Sequence, residues 1–201
     1  MLAPYLVDNY LAALSIHQSV DVALQLTLID MQSLGIAGVL TLTAERTIPR
    51  ERPYAEDCGK DGNVRDSSGE ISESCGHGDD YKSFYSGHAA ATATMAGLTC
   101  VHHQHLALYG GGLADLAPCV FMIGVATATG LTRLIADRHW ASDVIMGWGV
   151  GAVSGYLVPS ILHYGLFRGR PVGAIHFVGL SAVPTFMPYP SGGGVGIAGM
   201  F

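Results

Sequence analysis

Charge in this chain is confined almost entirely to one stretch. Of 26 charged residues, 16 fall within residues 45–82. Residues 83–132 carry only Asp115, residues 22–44 only Asp30, and residues 144–167 none. A charge inside a bilayer costs several kcal/mol, and about 20 apolar residues are enough for a helix to cross the hydrocarbon layer. Runs of this length nearly free of charge therefore predict membrane-spanning helices. Charged residues make up 13% of the chain, against about 25% in an ordinary soluble domain. The formal net charge of −6 excludes a general nucleic-acid binder, which would present a basic face. The expected class is an all-α, polytopic transmembrane helical bundle with one polar extramembrane loop.

Val22–Ala44 is the first firm span and ends at Glu45–Arg46. The polar loop 45–82 follows. A second span runs from Ser86 to about His105 and is rich in Ala, Thr and Gly, which suit close helix packing in lipid. Gly110–Gly112 ends it. Leu113 to about Arg133 is the third span and Asp143–Phe167 the fourth. Residues 1–20 lack the basic start of a secretory signal, and Asp8, Asn9, His17 and Gln18 leave both a spanning and an interfacial placement open. Residues 171–201 are apolar but carry four prolines and seven glycines, so no helix is expected there. The domain division is thus a membrane-embedded domain over 1–170 and a Gly/Pro-rich tail over 171–201.

Two crossings separate the loop 45–82 from the loop 133–143, so both lie at the same membrane face. That face gathers Arg46, Arg52, Ser86, His88, Arg133 and His139. Ser86 is placed to cap a helix, and Gly87 lets a ligand approach the backbone. Free N–H groups at a helix start favour an anion. His139 and Asp143 are spaced i, i+4 and share a helical face. A carboxylate there can fix one imidazole nitrogen and leave the other free to attack. Arg52 and Arg133 supply guanidinium forks suited to phosphoryl oxygens. Together these residues describe phosphoryl transfer through a histidine nucleophile, with charge stabilised by arginines and backbone amides.

Three runs carry a resemblance: Arg52-Pro53, Ser86-Gly87-His88, and Arg133 with His139 and Asp143. They resemble the signature K-x6-R-P, P-S-G-H and S-R-x5-H-x3-D of the type 2 phosphatidic acid phosphatase superfamily. That superfamily includes lipid phosphatases, bacterial acid phosphatases and vanadium haloperoxidases. The resemblance covers roughly residues 45–150. It implies that His139 is the nucleophile and forms a phosphohistidine, that Asp143 orients it, and that His88 protonates the leaving group. It further implies that Arg52, Ser86, Gly87 and Arg133 bind phosphate, with no metal or other cofactor. The substrate would be a lipid phosphate or a polyprenyl diphosphate held at the bilayer, and the reaction either hydrolysis or transfer to an alcohol. A catalytically silent relative that binds lipid phosphates is the rival reading. Family members usually have six spans, against four firm ones here.

This chain departs from the signature at three positions. Tyr85 stands for the proline, Thr132 for the serine, and Glu45 for the lysine. Arg46 is the nearest cation to the lysine position, and it is expected to take that role with Glu45 turned away.

The remaining polar residues have plainer readings. His102, His103 and His105 fall at the end of the second span opposite the motifs, with no paired acid or cysteine expected, and read as interfacial histidines rather than metal ligands. Asp30 reads as a polar contact between packed helices. Cys100 and Cys119 lie in apolar spans and read as packed thiols. Cys58 and Cys75 lie in the polar loop, where a disulfide would close about 18 residues and contribute roughly 3 kcal/mol by chain entropy. Such a bridge needs an oxidising compartment, which puts the expected site at the periplasm, cell exterior or lumen. The positive-inside rule points the other way, since eight of the ten Lys and Arg lie at the motif face.

Overall fold

The computed structural model describes residues 10, 13, 19–56, 79–165, 175–177, 180–189 and 192–198. The expected Cys58–Cys75 bridge and nearly all of the first segment lie outside the described residues. The chain divides into two compact units, Met1–Leu157 and Val158–Phe201.

Helix α1 (Val20–Thr47) begins at Ser19, whose hydroxyl accepts from the Val22 N–H at 3.3 Å. It stops at Ile48 because the next residue is Pro49, and a residue before proline is driven out of the helical region. A single turn, α2 (Pro53–Glu56), follows. The bundle continues with α3 (Gly87–His105), α4 (Leu113–Ile135) and α5 (Ala141–Ala152). A π-helical turn, Val153–Leu157, carries α5 on into α6 (Val158–Leu162).

Among the described residues, three helices are long and apolar enough to cross a membrane: Val20–Thr47, Leu113–Ile135 and Ala141–Leu162. Each turns large apolar side chains outward, among them Leu28 and Met31, Val120 and Phe121, and Ile145. That pattern suits a lipid surround, where nothing is gained by hiding leucine.

The other expected span, α3, is the inner helix. Its buried residues are mostly Ala and Thr, and Thr92 and Thr94 bond back to the carbonyls of His88 and Ala90. Enclosed by its neighbours, it has little lipid to face, which explains why it is less apolar than the rest. At about 1.5 Å per residue its 19 residues still run nearly the depth of the hydrocarbon layer.

Small residues fix how α3 meets α5. Gly147 sits so close that an added Cβ would stand 2.6 Å from the Ser86 carbonyl oxygen. Gly151 and Gly155, one turn apart along the same face, press on the carbonyls of Ala90 and Thr94 in the same way. Backbone contact at each successive turn leaves a single register. That register brings the starts of α3 and α5 together, and the Ser86 N–H donates to the Asp143 carbonyl at 3.1 Å.

The turn between α3 and α4 uses Gly110, Gly111 and Gly112 at φ of 92°, 91° and 67°, a run that side chains with a Cβ would resist. It folds the end of α3 onto the start of α4 and corrects two expectations. Cys100 and Cys119 are not separate packed thiols but a disulfide, with Cα atoms 4.5 Å apart. His102 and His103 are not interfacial but buried. His102 Nε2 bonds Asp30 at 2.8 Å and His103 Nδ1 bonds Asp115 at 2.6 Å. Asp115 also accepts from the backbone N–H groups of Tyr109 and Gly111. The acids sit on other helices, so adjacency in sequence could not reveal them. Asp30 makes the helix-to-helix polar contact expected of it.

In the tail, where no helix was expected, three short strands pair antiparallel in the order β1 (Ile175–Phe177), β2 (Leu180–Tyr189) and β3 (Gly192–Ala198). Ile175 faces Ala182, and Val183 faces Ala198.

Candidate active site

The three sequence runs are joined by backbone hydrogen bonds. Arg50 and Arg52 donate their N–H groups to the carbonyls of Tyr81 and Asp80, and Ser83 donates back to Arg50. Tyr54 donates to the Asp137 carbonyl at 3.1 Å. Asp137 itself adopts φ 51°, a left-handed turn that aspartate tolerates, just past the end of α4. The indole of Trp140 reaches the Glu51 carbonyl at 2.8 Å. These ties place His139 in a short connection between α4 and α5, against the chain that precedes α3.

His139 is only 4% exposed. Its Nδ1 lies 2.8 Å from the Ser83 carbonyl oxygen. A carbonyl only accepts, so Nδ1 carries the proton and Nε2 keeps its lone pair. Nε2 has no hydrogen-bond partner among the described residues. Burial drives the ring's pKa down to about 4; the Ser83 carbonyl and Asp143 oppose this, while Arg52 and Arg133 add to it. The imidazole is therefore neutral near pH 7, the form a nucleophile needs.

Asp143 is fully buried, but it does not hold the imidazole directly. Its nearer oxygen is 3.9 Å from His139 Nδ1, beyond hydrogen-bond range. It accepts instead from Arg50 Nη1 at 2.5 Å, from the Ser83 hydroxyl at 2.5 Å and from the Trp140 N–H at 3.0 Å. Ser83 thus links the two groups, with its hydroxyl on Asp143 and its carbonyl on His139. Arg50 also donates to the Ser142 hydroxyl at 2.8 Å. The path from Asp143 to the imidazole therefore runs through Ser83 rather than directly.

Ser86 caps α3 and is buried; its hydroxyl accepts from the Ala89 N–H at 3.4 Å. His88 stands exposed in the first turn of the helix. Arg52 and Arg133 lie within electrostatic reach of both His88 and His139. The two arginines differ in what else they do. Arg52 donates to the carbonyls of Asp79, Arg138 and Lys82, holding the loop around the site. Arg133 has a buried Nε with no partner among the described residues. A buried guanidinium N–H without an acceptor is costly, and an anion is the natural group to satisfy it.

The structure brings together His88, His139, Asp143, Arg52, Ser86, Gly87 and Arg133. Arg46 is exposed in the last turn of α1. Glu45, not Arg46, lies beside Gly87: its Oε1 is 3.7 Å from where a Cβ on Gly87 would be. Burial raises the pKa of neighbouring Tyr85, a hydrogen bond with Thr41 opposes the shift, and the Glu45 charge adds to it.

Arg50 and Ser83 were missed by sequence reasoning. A signal for Arg50 existed, because Pro53 favours extended chain before it, and extended chain puts Arg50 and Arg52 on the same side. No signal existed for Ser83, whose contact with His139 is made by its backbone. Among the described residues, no three His, Cys, Asp or Glu side chains are grouped to hold a metal.

The family model described as PAP2 superfamily matches residues 27–166, more than two thirds of the chain. No curated protein matches the chain, and no solved structure does.

Proposed function

The chain belongs to the PAP2 superfamily, whose members act on phosphate esters, and from that premise we propose that it is a membrane phosphatase working through a phosphohistidine on His139. The observation that carries this reading is the state of His139: buried, neutral, with Nδ1 held by a carbonyl and Nε2 open.

His139 Nε2 attacks phosphorus, the bond to the alcohol oxygen breaks, and His88 gives that oxygen a proton. A water then attacks the phosphorus of the phosphohistidine, passing its proton to His88; the P–Nε2 bond breaks, its electron pair returns to the imidazole, and inorganic phosphate leaves. Arg133, the Arg52 charge, the Ser86 hydroxyl and the Gly87 backbone bear the charge that builds on the equatorial oxygens. Arg46 adds positive field from the rim. Asp143 and Arg50 keep Ser83, and through it His139, in place. The catalytic domain is the segment 1–170, with the tail outside it.

The substrate is a phosphomonoester or diphosphate on a lipid, because the motifs stand at the end of helices that suit a bilayer. If an added alcohol captures the phosphoryl group in place of water, the protein is a phosphotransferase. The site faces the periplasm, cell exterior or lumen on the strength of the Cys58 and Cys75 pair. The opposite orientation has its own support: Cys100–Cys119 lies nearer the other end of the bundle, and eight of ten Lys and Arg lie at the motif face. Labelling single cysteines placed at residues 79 and 109 in intact cells with an impermeant reagent separates the two.

Phosphate release by the purified protein in detergent, over a panel of lipid phosphates and diphosphates, tests the activity. Release that His139→Ala abolishes supports the reading. No release from any of them would favour the silent-relative alternative.

A further inference from the structure

Glu45 occupies the position where the family signature has lysine, and the packing of α1 sets where its carboxylate goes. Thr41, one turn earlier, has its Cγ2 3.0 Å from the point where a Cβ on Gly87 would stand, and Glu45 Oε1 is 3.7 Å from the same point. The two side chains form one stripe of α1 against the start of α3. Gly87 adjoins the Ser86 cap, where the phosphate is to be held. Residue 46 is rotated by about 100° from residue 45 on a helix, and Arg46 is exposed. Glu45 is half-buried, and no residue among those described gives its carboxylate a hydrogen bond or ion pair.

A carboxylate at the rim repels a phosphate dianion. It becomes favourable once the substrate brings a positive charge of its own to that spot. We infer that Glu45 makes the site selective for phosphoesters whose alcohol carries an ammonium group close to the ester oxygen; this rests on the phosphatase reading above. The phosphoryl group lies among Arg133, Arg52 and the α3 start, and the ammonium pairs with Glu45. The signature's lysine would favour a wholly anionic headgroup at the same place. The exchange of one charge thus changes the substrate class through attraction to one headgroup and repulsion of the other.

The test compares two single-chain alkyl phosphates that differ only in an amino group two carbons from the ester oxygen. Each is assayed for phosphate release by the full chain in detergent. Wild type should favour the amino compound by at least about tenfold in kcat/KM. Glu45→Gln should bring the ratio close to one, and Glu45→Lys should invert it, with the change seen mainly in KM. Equal hydrolysis of both compounds by wild type would overturn the inference while leaving the phosphatase reading intact. A preference that survives Glu45→Gln would overturn it as well. Hydrolysis of neither compound, together with none across the wider lipid panel, would overturn the phosphatase reading and this inference with it. Should a variant fail to fold, the wild-type ratio alone decides.

Discussion

The two ends of the bundle use histidine in opposite ways. At the end away from the motifs, His102 and His103 are buried and each bonds an aspartate from another helix, Asp30 on α1 and Asp115 on α4. A carboxylate beside a buried imidazole makes a strong, directional tie, and with the Cys100–Cys119 bridge it fastens helices together. At the motif end, His139 bonds a neutral carbonyl, and the nearby aspartate is occupied by Arg50, Ser83 and Trp140. The difference matches what the proposed nucleophile requires. One nitrogen is fixed without a full negative charge on it, the ring is kept neutral by burial and by arginines, and the other nitrogen is left open.

Substitutions can break this contrast. The largest effect is expected at His139: His139→Ala should lower kcat/KM by more than about 10³-fold with the fold retained, as circular dichroism and thermal melting would check. Next is Asp115→Asn at the opposite end. It should cost about 2–3 kcal/mol of stability, since it weakens a buried charge-assisted pair, yet leave kcat/KM within about twofold once the protein is folded. A loss of activity in step with His139→Ala would erase the distinction between the two ends.

Arg50→Ala should act in between, lowering kcat/KM by about 30-fold, a scale of about 2 kcal/mol for a lost charged hydrogen bond. Its signature is in the pH profile. The active form of His139 is neutral and His88 must carry the proton it donates, so kcat/KM should fall on acidification through about pH 4 and fall again at alkaline pH as His88 loses its proton. Asp143 favours the protonated ring, and removing its Arg50 partner strengthens that influence. The acid limb of kcat/KM should therefore move to higher pH in Arg50→Ala and return toward its original position in Arg50→Lys. A merely structural role would leave the limb where it was. Ser83→Ala should have the smallest effect, about fivefold, since the carbonyl that holds His139 survives and only the hydroxyl link to Asp143 is lost, on the order of 1 kcal/mol.

Much of this was legible in the sequence, for physical reasons that can be named. Charge avoidance in lipid marked the three helices that suit a membrane, and the same scarcity of charge marked α3 as a helix, though its Ala and Thr content leaves it less apolar than they are. The i, i+4 spacing of His139 and Asp143 and the order of the three runs placed the site at one end. What escaped was whatever depends on register between helices. Cys100 with Cys119 and His103 with Asp115 meet only because Gly110–Gly112 turn the chain and fix how α3 lies on α4. The Gly147, Gly151 and Gly155 contacts with α3 are of the same kind. At Glu45 the charge balance of a phosphate site argued that the carboxylate should turn away. The geometry of α1 decided otherwise, because the residue shares a face with Thr41.

The central claim is that His139 carries the phosphoryl group. Wild-type protein should be mixed with a hydrolysed lipid phosphate, quenched within milliseconds in base, where phosphohistidine survives, and digested for mass spectrometry. The account predicts a phosphoryl group on the imidazole of His139, formed and lost at rates that accommodate turnover and absent from His139→Ala. Phosphate release at full rate with His139 unmodified, or a phosphoryl group on His88 or His103 instead, would contradict it.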